Sequence, residues 1–428
     1  MPDEWNDTTI VLIPKVRRPE NIKDLRPISL CNVVYKLISK TVANRLKRIL
    51  PDIISPSQSA FVPGRLITDN ILIAYEMTHF LKKRRKGKEG FAAIKLDMSK
   101  AYDRVEWGFL GDILRLLGFQ NSWVQLVMGC ISTVRYRIRV NGVLSDEISP
   151  ERGLRQGDPM SPYLFLLCAE GFSALLNCAE QEGRLHGIKI CRNAPAVSHL
   201  LFTDDSLILC KASRAEAQQL KEILRVYEEC SGQMINVDKS AVMFSPNTGT
   251  EDRQGVMQSL NIRSETMSER YLGLPVYIGR ERTNIFAYLK ERVWQRIQGW
   301  KEKMLSRAGK EVLIKAVAQA IPVFAMGCFD ITKEMCSQIN SLIARFWWNK
   351  QDKEKCMHWL SWETLVSPKA EGGLGFRDLH SFNMAMLAKQ GWRIIQNPTS
   401  LCARILKAKY FPNTHLLKAK VKAGCSYT

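Results

Sequence analysis

Although the 428-residue chain has twelve cysteines, no two of them form a C-x-x-C pair. That spacing argues against a zinc knuckle, and the placement of Cys168 and Cys210 inside apolar runs argues against a disulfide frame. Reduced thiols of an intracellular protein are the expectation. No tandem repeat is present, which excludes a solenoid. The start, Met1-Pro-Asp-Glu-Trp-Asn-Asp7, is polar and acidic, so no signal peptide is expected. The best apolar stretch, Tyr163 to Ala179, carries Glu170 and reads as too short for a membrane span. Acid is the scarcer charge: 62 Lys and Arg against 42 Asp and Glu leave a net charge of +20. A surplus of that size favours a polyanionic partner, most often nucleic acid.

What is present divides into two parts. In the first, Ile10–Ile13 and Phe91–Leu96 read as strands. Asn32–Leu50 has helical spacing and is expected to end at Pro51, and Thr68–Leu81 is a second helix. Arg135–Val140 alternates with period two, and Asn141-Gly142 is a hairpin turn signal. Helices are expected at Trp107–Leu117, Ser161–Ala179 and Glu216–Cys230. His199–Phe202 and Ser206–Cys210 are apolar strands flanking Asp204-Asp205. After Gly279 the composition changes. Arg280–Lys310 holds nine basic residues against three acids, with Phe286, Leu289, Val293, Ile297 and Trp300 on one helical face. Ser306 is set to cap a further helix running to Ile321-Pro322, and the chain from Asn349 reads as a less regular unit.

Three acids stand where chemistry is possible. Asp97 ends an apolar strand, and Asp204-Asp205 lie at the tip of a hairpin. Adjacent carboxylates with apolar flanks repel and lose hydration unless a cation joins them. Two magnesium ions held by such acids would serve nucleotidyl transfer, one lowering the pKa of a primer hydroxyl, the other clamping a triphosphate. A solvated hairpin turn is the plain alternative.

The motif series resembles LINE-type (non-LTR) retrotransposon reverse transcriptases, plant members in particular. The matching stretches are Leu12-Ile-Pro-Lys15, Leu25-Arg-Pro-Ile-Ser-Leu30, Gln58-Ser-Ala-Phe-Val-Pro-Gly-Arg65 and Asp97 to Arg104. They continue with Arg152-Gly-Leu-Arg-Gln-Gly-Asp-Pro-Met-Ser-Pro162, Phe202-Thr-Asp-Asp205, Ser231 to Ser240 and Tyr271-Leu-Gly-Leu-Pro275, in the family's order. The resemblance implies an α+β right-hand polymerase fold: fingers over 1–95, a palm with an antiparallel sheet over 96–280, a helical thumb over 281–348, and a truncated linker region over 349–428. It implies RNA-directed DNA polymerase activity with two Mg²⁺ (Mn²⁺ also suitable), dNTP substrates, an RNA template and a DNA primer. The expected location is the nucleus, no membrane is expected, and the oligomeric state stays open.

The same resemblance assigns residues. Asp97 and Asp204 would be the main metal ligands, with Asp205 beside them and the Met98 carbonyl adding an oxygen. Tyr102 would floor the sugar pocket. Gln156 and Gly157 would meet the nucleotide, Arg26 and Lys15 the triphosphate, and Lys239 the leaving pyrophosphate. Asp103 is expected to be a structural partner for a nearby base, and Trp347-Trp348 to be core. Thr203 departs from the family, which usually has Ala there. No apurinic endonuclease segment, late Cys/His motif or RNase H carboxylate set is recognisable, so a fragment of an element is expected. A silent nucleic-acid-binding remnant and a maturase-like RNA binder are the competing readings.

Overall fold

The computed structural model describes residues 4–265, 270–279, 282–301, 305–348, 357–420 and 425–426. The chain divides into two compact units: residues 1–70 with 80–268, and residues 71–79 with 269–428.

In the first unit, β-branched and apolar runs make two sheets. The strands β1 (Asp7–Pro14) and β2 (Leu25–Cys31) pair antiparallel, with Ile10 opposite Ser29. Later in the chain, β4 (Arg135–Val140) lies parallel to β1, and β5 (Val143–Leu144) closes the order β2-β1-β4-β5. The Asn141-Gly142 turn has φ of 50° and 86° at its two residues, the double left-handed geometry of a two-residue hairpin.

The second sheet is antiparallel throughout. Its order is β6-β7-β3-β8, formed by β3 (Phe91–Leu96), β6 (His199–Phe202), β7 (Asp205–Lys211) and β8 (Ala241–Phe244). Ala92, Ile94 and Leu96 enter the core by period-two alternation. They join residues of the helices Ser161–Gln181 and Arg214–Ser231, where Phe172 stacks on Tyr227 with ring centroids 5.0 Å apart. By length and composition the Ser161–Gln181 helix could cross a membrane, contrary to the reading that it is too short. Its Leu164, Leu166, Leu167 and Cys168 are fully buried in the core.

Three other expectations need correcting. The first helix, α1 (Val33–Ile53), does not end at Pro51 but contains it. The Ile54 N–H still reaches the Leu50 carbonyl at 3.0 Å, and the Arg65 guanidinium takes the carbonyls of Pro51 and Ile54 at the helix end and of Ser55 and Gln58 in the loop beyond. Ser306 does cap a helix, Arg307–Leu313, but the coil then widens into a π turn over Ile314–Ala318, with Gln319 N–H donating to Ile314. The expectation of a less regular unit after Asn349 holds for only part of its described residues, such as 367–378, where the 3₁₀ turn Lys369–Glu371 is the one regular piece. Leu379–Gln396 and Leu401–Tyr410 are regular helices, each with an N-cap, Asp378 and Ser400.

Among the described residues of the second unit the regular structure is helical apart from the short pair Arg270–Tyr271 and Leu274–Pro275. Phe286, between Arg282–Ile285 and Ala287–Lys301, is buried, as are Leu289, Val293 and Ile297 on one face of the second helix. Trp347 is buried, edge-on to Phe376 at 5.5 Å, as the core reading expects. The basic stretch Arg280–Lys310 falls partly outside the described residues. Buried Glu76 accepts from Lys409 Nζ at 2.5 Å and from the Tyr410 hydroxyl at 2.9 Å.

Candidate active site

The acids meet at one end of the antiparallel sheet because the strand register puts them there. Leu96 of β3 lies opposite Ser206 of β7, which brings Asp97, the next residue, to the strand end near Asp205, whose carboxyl feels the Asp97 charge. Asp204 occupies the two-residue turn between the paired residues Phe202 and Asp205 and is exposed. The backbone of Asp97 is clamped twice. Its carbonyl accepts from the Asn236 N–H at 2.7 Å, and its N–H reaches the Ser240 hydroxyl at 3.4 Å. Met98 bridges to Ile235, but the ladder there uses the Asp97 carbonyl and the Ser99 N–H, not the Met98 carbonyl.

Each of two acids has a lysine. Lys239 Nζ lies 3.6 Å from Asp97, and Lys95 Nζ lies 3.7 Å from Asp205. Burial raises the Asp205 pKa; Lys95 opposes that, while Asp204 and Asp97 add to it. Mutual repulsion among three carboxylates is thus present and only partly offset. Among the described residues no three acidic, His or Cys side chains are gathered closely enough to hold an ion as they stand. The donor chemistry nonetheless fits a hard divalent cation: three carboxylates at one sheet end, with cationic ammonium groups drawn to two of them.

Tyr102 follows on a 3₁₀ turn, Tyr102–Arg104, its ring stacked on Phe165 at 5.1 Å and 10°. Burial, with Asp204 nearby, pushes its hydroxyl up to about 12. Asp103 forms no single ion pair among the described contacts; burial raises its pKa, and Lys100, Lys15 and Arg104 counter that. Gln156 is exposed, and its carbonyl accepts from the Ser29 N–H of β2 at 2.8 Å. Gly157 has φ of 118°, and a Cβ there would sit 2.9 Å from the Ser29 carbonyl. Only glycine fits that approach; the close neighbour visible here is β2. Below this turn, buried Asp158 accepts from the Tyr35 hydroxyl at 2.8 Å and lies 3.6 Å from buried Arg155. Arg26 is exposed on β2 opposite Ile13, and Lys15 is exposed with its Nζ on the Lys23 carbonyl. Neither contacts the acids in the described interactions.

One residue that sequence reasoning passed over, Lys95, belongs to the frame. Lys95 is the charged member of an otherwise apolar strand, two residues before Asp97 and therefore on its face; that spacing was the available signal. The stretch around Gln58-Ser59 adds a short parallel bridge to β6, where the Leu201 N–H donates to Ser57 and the Leu201 carbonyl accepts from the Asn70 side chain at 2.8 Å.

This arrangement fits the comparison with known families. Residues 13–276 match the family described as reverse transcriptase (RNA-dependent DNA polymerase). The chain belongs to that family. Both sheets and all three acids lie within or across the matched segment, and the fold class is accordingly the α+β right-hand polymerase. The family works on nucleic acid and depends on divalent metal. A transposon TX1 protein of 149 kDa from Xenopus laevis, itself uncharacterized, is 28% identical over 91% of this chain and 29% of its own length. The retrovirus-related Pol polyprotein of the R2DM element of Drosophila melanogaster is 28% identical over 54% of this chain and 20% of its own. An uncharacterized mitochondrial protein of Arabidopsis thaliana is 41% identical over 25% of this chain and 71% of its own. Among solved structures, telomerase from Candida albicans aligns at a TM-score of 0.44 with 11% identity, over 95% of this chain and 62% of that one. The chain thus spans about 29% of the length of the TX1 relative.

Proposed function

We propose that this chain extends a primer 3′-hydroxyl with dNTPs on an RNA template, as the polymerase part of a non-LTR retrotransposon protein. The observation that carries the reading is the end of β3 at Asp97 beside the β6–β7 turn that holds Asp204 and Asp205. In this reading Asp97 and Asp204 hold two Mg²⁺ or Mn²⁺ ions, with Asp205 and the Met98 carbonyl beside them. Bound ions would supply the acidity of the primer hydroxyl and neutralise triphosphate charge. The remaining work falls to the chain. Tyr102, stiffened by Phe165, floors the sugar pocket and excludes a 2′-hydroxyl by collision. Arg26 and Lys15 grip phosphate oxygens from the exposed end of β1 and β2. Gln156 and the Gly157 backbone meet the nucleotide. Lys239, 69% exposed and already at the acids, moves a proton to the leaving pyrophosphate.

Fingers, palm and thumb correspond in this reading to residues 1–95, 96–280 and 281–348, with 349–428 as a linker region. Non-specific phosphate contacts come from the surplus of +20, and the nucleus is the expected location. Primer extension on poly(rA)/oligo(dT) with Mg²⁺ tests the assignment. Asp204→Asn is expected to abolish extension while RNA binding, followed by fluorescence anisotropy, stays within about twofold. Extension at the wild-type rate by Asp204→Asn would overturn it.

A further inference from the structure

Lys95 lies on the wrong kind of strand for a surface charge. Its neighbours Phe91 to Ile94 and Leu96 are all buried, and β3 is flanked by β7 on one side and β8 on the other. Alternation sets Ala93, Lys95 and Asp97 on one face. The register places Leu207 opposite Lys95, which makes Asp205 its diagonal neighbour on that face. The Lys95 side chain is 21% exposed and that of Asp205 34%, with Nζ and Oδ1 3.7 Å apart. Lys239 differs: it is 69% exposed on a short turn and can swing into water at small cost. The ammonium of Lys95 springs from a central strand and has no comparable escape.

We infer that Lys95 is a positioning residue that competes with divalent ions for Asp205 and so sets the metal affinity of the site. The inference rests on the proposed metal-binding role of the acids. Without metal, Lys95 supplies the positive charge that keeps Asp205 beside Asp97 and Asp204. A divalent ion approaching the acids meets that fixed charge and must displace it from Asp205 or share the carboxylate. Asp205 therefore contributes less to metal binding than Asp97 or Asp204. Opposite charges at this separation attract even in water, and more strongly where water is partly excluded. Losing Lys95 should thus tighten binding on the order of tenfold, which is about 1.4 kcal/mol.

The test is a titration of the full chain with Mn²⁺ alone, free ion being read by electron paramagnetic resonance. Lys95→Gln and Lys95→Met are expected to bind Mn²⁺ about tenfold more tightly than wild type. Lys95→Arg, which keeps the charge, should bind like wild type. Unchanged or weaker binding by the Gln and Met variants, with wild type binding normally, overturns the inference and leaves the metal-site reading standing. No Mn²⁺ binding by any protein, wild type included, overturns both. Should the neutral variants fail to fold, Asp205→Asn decides. It is expected to lose less Mn²⁺ affinity than Asp204→Asn, and an equal or greater loss counts against the competition.

Discussion

Thr203 is the residue on which stability and positioning should separate. It stands first in the two-residue turn between Phe202 and Asp205, with φ of 53°. A left-handed backbone costs a residue with a Cβ about 1–2 kcal/mol, and the first position of such a turn favours glycine. Part of that cost is returned by the Thr203 hydroxyl, which donates to the Phe202 carbonyl at 2.6 Å; a bond of this kind is worth about 0.5–1.5 kcal/mol. Thr203→Val keeps the branch and the strain but loses the bond, so it should destabilise by about 1 kcal/mol. Thr203→Gly loses the bond too and adds about 0.5–1 kcal/mol of unfolded-state entropy, but it releases the strain. Its net change should lie near zero, roughly 1 kcal/mol better than Val. Primer extension should run the other way, because a glycine turn holds Asp204 less firmly. Equilibrium denaturation, with amide exchange in β6 and β7 to localise the effect, measures the first quantity, and single-turnover extension the second. If Thr203→Gly proves less stable than Thr203→Val, the turn is not strained and the reasoning fails.

Three further outcomes are expected. Tyr102→Val should raise rNTP use relative to dNTP use in primer extension, and an unchanged ratio would leave Tyr102 as packing for Phe165. His199 is fully buried between the Ser57 and Ser173 hydroxyls, with Ser198 on its other nitrogen, and burial lowers its pKa to about 4. Its folded pKa lies below the unfolded value near 6.5, so the folded state binds fewer protons between those limits. Its contribution is complete above about pH 6.5 and falls as the pH drops toward 4, by about 3 kcal/mol in total. Denaturation of wild type and His199→Asn over that range should show a steeper loss for wild type; parallel curves would refute it. Glu76→Ala leaves Lys409 without its buried carboxylate and should destabilise the second unit by about 3 kcal/mol, read as faster amide exchange in Leu401–Tyr410. Unchanged exchange there would show that the pair carries no stability.

Local signals made much of the fold legible. Phe91–Leu96 is a strand with the expected bounds, and Asn141-Gly142 adopts the left-handed pair its side chains allow. The acids were legible because a strand end and a hairpin tip announce themselves in the apolar pattern. What escaped depends on partners distant in sequence. Nothing in the short run Ala241–Phe244 says that it pairs with Ala92–Lys95, and Asn121–Ser132 begins without a side-chain cap. Pro51 does not stop the helix, because the Ile54 N–H still bonds to Leu50 beyond it and Arg65, fourteen residues on, takes the carbonyls of Pro51 and Ile54 at the helix end. Gly157 rests on the motif series for its nucleotide contact, while the Ser29 carbonyl is what bars a Cβ there. Arg26, Lys15 and Gln156 rest on the motif series alone, since none of them touches the acids in the described contacts.

The motif around Gln58 illustrates how a distant stretch reaches the chemistry without touching it. The edge strand β6 would present an open backbone row on its outer side. Instead Leu201 is held from outside by Ser57, Ser59 and Asn70, and Ser57 also bonds to His199 two residues earlier. Four guanidinium bonds from Arg65 fix the loop that carries these groups. Strand β6 is therefore fixed along both edges, and the turn that follows it inherits that rigidity. A strained Thr203 and two adjacent carboxylates would otherwise relax by fraying the hairpin. The clasp removes that route, so the repulsion among Asp97, Asp204 and Asp205 stays at the sheet end, where only a cation relieves it. Lys95 and Lys239 relieve it in part, and a divalent ion would relieve it further, which is why the same three carboxylates that destabilise the bare sheet end suit it to metal.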